Sequence, residues 1–248
     1  MVRFSKKEMR VILTSAVVLG IVFGYDDGSM VFRWGNWMTN MIRVTLLCLA
    51  SVVMYEVGHK VMAKKRSCTS RVQIWGRGVN GPPQKGVMGV RKNLPMGVIL
   101  PLICTVASGG AIKLAATTTT EVTSTHARRV GREFPKVSER EEAEIAVAGP
   151  MTAIVIALLA KGMLPFLPLM GQVIVINKYL ALMNMLPIPT LDGVRVYFGS
   201  PLLFTCSWVF IVVMVLLINA LSPMAALTLS AGIAAAAVFV HYQTRLVG

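Results

Sequence analysis

The sequence predicts an all-α polytopic membrane protein of about six transmembrane helices, with one membrane-associated re-entrant or hairpin segment at 95–116. Three observations carry that prediction. Hydrophobic residues make up 55% of the 248 and the mean hydropathy is +0.66, in apolar stretches long enough to cross a bilayer. Charged residues are only 15%, against about a quarter in a soluble domain. The formal charge of +14 sits beside the apolar stretches, as the basic flanks of spans do on the cytosolic side. That placement argues for membrane orientation and against nucleic-acid binding. The bilayer is the expected partner, and no linker or internal repeat divides residues 1–248, which read as a single membrane domain.

The elements follow in order. Span one is expected at 7–25, opened by Lys6, Lys7 and Arg10; it lacks a small-residue cleavage site and reads as retained. Asp26, Asp27, Trp34 and Trp37 form an interfacial loop. Span two is expected at 40–63, followed by a basic, glycine-rich stretch at 64–94 in which RVQIW suggests a short strand. Pro95, Pro101 and Gly109-Gly110 interrupt the apolar run 95–116. TTTT at 117–120 reads as an extended loop within a polar stretch, 117–144. Spans three and four are expected at 145–163 and 170–187. Val196–Thr244 holds no charged residue and has room for two C-terminal spans, parted at Ser222-Pro223.

Charge distribution fixes the expected topology. With a cytosolic N-terminus and a re-entrant 95–116, residues 64–94, 117–144, Arg195 and Arg245 all lie inside. If 95–116 crossed instead, five basic residues of 117–144 would lie outside. The expectation is therefore a cell-membrane protein with both termini cytosolic. Non-helical backbone at membrane depth must be buried or line a wet cavity, so a cytosolic-side cavity is expected. The four cysteines, Cys48, Cys68, Cys104 and Cys206, form no CxxC pair, which speaks against a disulfide framework or a cysteine metal site.

Two carboxylates fall in or beside the spans, Glu56 and Asp192. Charge at such depth is costly and usually faces the bundle interior. Glu56 lies in YEVGHKVMA (55–63), one turn before His59 on the same helix face. Alone, this pair also fits a helix end satisfied by cytosolic arginines. NMLPIPTLDG (184–193) changes the balance: Pro187 and Pro189 must end or unwind the helix and aim Asp192 from a non-helical turn. AVAGPM (146–151), at the expected start of span three, brings a third motif to the same side.

YEVGHKVMA resembles the HExxH zinc helix of the site-2 protease family of intramembrane metalloproteases. NMLPIPTLDG resembles that family's NxxPxPxLDG motif, and AVAGPM the segment that opens its third core helix. The resemblance covers roughly 40–200. It implies a three-helix core with a membrane-associated hairpin segment between the first two helices. It also implies a role for each matching residue: Glu56 as general base, His59 and Asp192 as zinc ligands, and Asn184 as a retained catalytic residue. Tyr55 stands in the place of the first histidine ligand, and Ala153 where family members carry an asparagine that holds the substrate carbonyl. A phenol, with an ordinary pKa near 10, must lose its proton to ligate well. Losing a polar group that stabilises the reacting carbonyl typically costs about 10²–10³ in rate.

Whether the chain is an enzyme is thus open at the sequence level, leaning towards inactive. The first reading is a non-catalytic homologue that binds a transmembrane helix or partner subunit in the former active-site cavity. The second is an active zinc metalloendopeptidase in which Tyr55 or another residue completes the coordination. The third is a structural subunit of a membrane complex. Zinc is expected only if the site is retained. Lys178 is expected to snorkel or to face the cavity and pair with Glu56 or a partner's acid. His126 is expected in solvent and His241 near an interface. GRGVNG at 76–81 lacks the context of a phosphate loop.

Overall fold

The computed structural model describes residues 3–26, 28, 32–76, 94–124 and 137–247. The helices are α1 (Lys6–Gly24), α2 (Trp34–Lys65), α3 (Met96–Ala107), α4 (Glu139–Met163), α5 (Met170–Asn184), α6 (Asp192–Gly199), α7 (Pro201–Leu217) and α8 (Pro223–Val247). Strands β1 (Cys68–Ile74) and β2 (Thr118–Ser124) form a two-stranded antiparallel sheet in which Cys68 faces Ser124 and Ile74 faces Thr118.

Local chemistry explains the boundaries. Ser5 caps α1 with a reciprocal box: Glu8 N–H donates to Ser5 Oγ at 3.2 Å and Ser5 N–H to Glu8 Oε2 at 2.7 Å. Ser138 and Glu141 make the same box at the start of α4. That box starts α4 at Glu139, six residues before the expected start of span three. AGPM consequently lies inside α4 and not at its head. Ser200 caps α7, whose first residue is Pro201. The main apolar core, drawing on α1, α2, α4, α5 and α7, runs through the bundle, with two small satellite clusters, one around Ala63, Cys68 and Ile145 and one around Trp75, Ala116 and Leu191.

Among the described residues three helices are long and apolar enough to cross a membrane: Trp34–Lys65, Glu139–Met163 and Pro223–Gln243. The expected count of six spans is therefore corrected, and the reasons are physical. The first turn of α1 carries Lys6, Lys7, Glu8 and Arg10, leaving residues 11–24, about 21 Å of apolar helix at about 1.5 Å per residue. The proline turn after Met185 ends α5 at Asn184, with 15 residues, and α7 has 17. Both fall short of a hydrocarbon layer of about 30 Å.

TTTT is not a loop: residues 118–120 begin β2, paired with β1. The strand expected at RVQIW spans Cys68–Ile74. Because Ile74 pairs with Thr118, the chain leaves the sheet and returns to it at one point. Trp75 N–H donates to Thr117 O and Gly97 N–H to Trp75 O, both at 2.9 Å, which pins the start of α3 there. With 12 residues, α3 is about 18 Å long at 1.5 Å per residue. His126 and most of GRGVNG lie outside the described residues.

A candidate site of metalloprotease type without its full ligand set

The site begins with the uninterrupted helix α2. Tyr55 and His59, four residues apart, lie on one face with ring centroids 5.0 Å apart and planes at 75°. Gly149 lets α4 come close to them. A Cβ on that glycine would overlap His59 Nε2 and sit 2.8 Å from Tyr55 Cζ. Gly58 makes a second close approach, its hypothetical Cβ 2.9 Å from Ala148 O. Small residues permit such crossings of apolar helices.

Asp192 comes from the far end of the chain. After α5 the backbone turns through Pro187 and Pro189 to Thr190, whose φ of 73° lies in the left-handed region. Thr119 Oγ1 donates to Thr190 O, and Trp75 Nε1 donates to Pro189 O at 3.3 Å. The sheet and its exit thus grip the turn. Leu191 caps α6 and Asp192 is its first residue, so Asp192 is presented by a helix start and not by the non-helical turn expected. Gly193 is demanded here, because a Cβ would strike the carbonyls of Met185 and Leu186.

These elements bring Tyr55, Glu56, His59 and Asp192 together in the interior, with exposures of 2%, 0%, 0% and 2%. Tyr55 OH donates to Asp192 Oδ2 at 2.5 Å. The same oxygen is 3.2 Å from His59 Nε2, close enough for ion pairing but not aligned as a hydrogen bond. His59 Nδ1 is 2.8 Å from Ile145 O. A carbonyl only accepts, so Nδ1 carries the proton.

Glu56 points elsewhere. Thr118 Oγ1 donates to its Oε1 at 3.0 Å and Thr120 Oγ1 to its Oε2 at 3.4 Å. Asn184 donates Nδ2–H to Leu180 O at 2.9 Å, and its Oδ1 is buried without a partner. No described hydrogen bond joins Asn184 to the cluster. Ala153 is fully buried one turn beyond Gly149. Lys178 is buried in α5 and makes no described ion pair with Glu56. His241 lies on α8.

Sequence reasoning missed Thr118, Thr120, Gly149 and the Ile145 carbonyl. One signal was available: threonines two apart in an extended segment point to one face.

The donor set can be compared with the needs of zinc. Catalytic zinc takes three protein ligands and keeps one position open. His59 is arranged as such a ligand is, with Nδ1 held by a carbonyl. Its Nε2 and Asp192 Oδ1 are buried without hydrogen-bond partners. The N···O separation of 3.2 Å matches two ligands about 2.0 Å from a tetrahedral ion. The third donor fails. The Tyr55 oxygen lies 2.5 Å from Asp192 Oδ2, where a shared proton belongs and two ligands of one ion would crowd. Among the described residues no cluster of three His, Cys, Asp or Glu is placed to hold a metal. The residues present do not fit a catalytic zinc ion.

Apolar membrane-length helices and this partial site define a membrane protein of metalloprotease-like character. A protein of Methanocaldococcus jannaschii that bears the provisional name of zinc metalloprotease is 24% identical to the chain over 214 residues, covering 82% of this chain and 89% of that protein. No family model and no solved structure matches the chain.

Proposed function

We propose that this chain is a non-hydrolytic homologue of the site-2 protease type, in which the former metal centre has become a proton-bridged lock. The observation that carries this reading is the Tyr55 hydroxyl, 2.5 Å from Asp192 Oδ2, in the position the resemblance gives to a ligand. The lock ties α2 to the start of α6, and His59 ties α2 to α4 through Ile145 O. Glu56, with both oxygens taken by Thr118 and Thr120, anchors β2 and activates no water. The bundle so held would receive a transmembrane helix of a partner protein or complex subunit. Its setting is the cell membrane, with α3 re-entering from the cytosolic side.

The test is to restore the missing ligand. Full-length Tyr55→His is compared with the wild type for zinc affinity and for cleavage of a transmembrane peptide. Zinc binding gained in Tyr55→His, and lost again when Asp192→Ala is added, is the expected result. Peptide cleavage by the wild-type protein would sink the reading.

A second reading has one specific observation in its favour. His59 Nε2 and Asp192 Oδ1 are buried and unpartnered, and a metal ion would satisfy both. It predicts about one zinc per wild-type chain, lost in Asp192→Ala.

A further inference from the structure

Far from the Tyr55–Asp192 cluster, the N-terminal half of α2 carries a groove of about 400 Å³, lined by Thr39, Ile42, Arg43, Leu46, Leu47 and, at the start of α5, Leu169. We propose that this groove binds an anionic phospholipid, with its phosphate on the Arg43 guanidinium and one acyl chain along Ile42, Leu46 and Leu169.

The inference begins with an unbalanced charge. Arg43 lies within a helix long and apolar enough to cross the membrane, where a guanidinium is costly unless something answers it. Among the described residues no carboxylate pairs with it. Its side-chain bond is from Nη2 to Asn40 Oδ1 at 2.8 Å. A guanidinium has five N–H donors, so donors remain for a ligand. Asn40 is buried and donates to Gly24 O at 3.4 Å, which holds the fork in place from behind.

Depth and shape identify the occupant. Phe32, Trp34 and Trp37 form an aromatic cluster with centroids 5.2 to 6.2 Å apart, and such clusters settle at headgroup level. Arg43 is six residues beyond Trp37, about 9 Å deeper at 1.5 Å per residue. An arginine stem can snorkel across that distance to a headgroup phosphate, and guanidinium–phosphate pairing is bidentate. Below it the walls are aliphatic, and Ile42 and Leu46 are more than half exposed, as a surface covered by an acyl chain would be. A zwitterionic headgroup brings its own cation to the phosphate. An anionic one does not, and it meets the single uncompensated charge of Arg43.

The test uses the full-length protein in nanodiscs of phosphatidylcholine with increasing phosphatidylglycerol, reading lipid retained per chain by native mass spectrometry. Phosphatidylglycerol should be retained selectively by the wild type. Arg43→Gln should lower that retention about fivefold, as expected for one basic residue at an anionic surface. Leu46→Trp, which fills the groove and leaves the charge, should also lower it. Arg33→Gln, at the exposed N-cap of α2, should leave it unchanged. Equal retention by wild type and Arg43→Gln would overturn the proposal. So would phosphatidylcholine held as firmly as phosphatidylglycerol, or an acidic partner helix in place of lipid on this face. If Arg43→Gln does not fold, Leu46→Trp decides: lowered retention supports the groove, and unchanged retention overturns it.

Discussion

Replacing Tyr55 with phenylalanine deletes one oxygen and leaves the ring packed against His59, 5.0 Å between centroids. The lost bond is the 2.5 Å contact from Tyr55 OH to Asp192 Oδ2. Hydrogen bonds between membrane helices average only about 0.6 kcal/mol, because the unfolded chain in lipid also finds partners. This acceptor differs from the average. It is a fully buried carboxylate whose other oxygen has no partner, and bonds to charged groups contribute about 1.5–3 kcal/mol. Taking about 2 kcal/mol, Tyr55→Phe should reduce the folding equilibrium constant about thirtyfold. Denaturant titration in mixed micelles reads that loss. A double-mutant cycle with Asp192→Ala should give strong coupling, because both changes remove the same bond. A cost below about 0.5 kcal/mol, or full additivity in the cycle, would refute the lock.

Other substitutions probe the surrounding frame. Gly149→Ala should destabilise by about 1–3 kcal/mol, since its Cβ meets His59 and Tyr55; Gly162→Ala, facing open space on the same helix, should gain up to about 1 kcal/mol. Thr118→Val should cost about 1–3 kcal/mol by removing the 3.0 Å donor from buried Glu56, and adding Glu56→Gln should recover part of the loss in the same titration. Lys60→Met breaks the largely buried pair to Glu8, 2.6 Å long, that joins α2 to α1. It should cost about 3 kcal/mol, more than loss of the exposed pair between Arg140 and Glu144 at 3.6 Å.

What the sequence revealed of the fold depended on how local its cause was. The helix carrying Tyr55, Glu56 and His59 was readable from apolar content and four-residue spacing. The break before Asp192 was readable from Pro187 and Pro189. The convergence of Asp192 with His59, 133 positions away, was inferred from topology and the motif resemblance, and the 3.2 Å separation agrees with it. The number of spans was misjudged because apolar runs were counted as spans without setting their helical length against the bilayer: the charged residues at the start of α1 shorten its apolar part, and α5 stops early at Asn184. AGPM was misplaced because a capping box at Ser138 starts α4 before the apolar run begins. The roles of Thr118 and Thr120 were hidden for another reason: pairing between β1 and β2 spans some fifty residues of intervening chain, and no local pattern encodes the partner.

The central claim is that a shared proton, not a metal ion, joins Asp192 to α2. Its most direct test is elemental analysis of the full-length wild-type protein, purified in detergent after zinc is supplied during expression, with Asp192→Ala alongside. The account predicts no zinc in either sample. About one zinc per wild-type chain, absent from Asp192→Ala, would contradict it and restore the reading of an active centre with altered ligands.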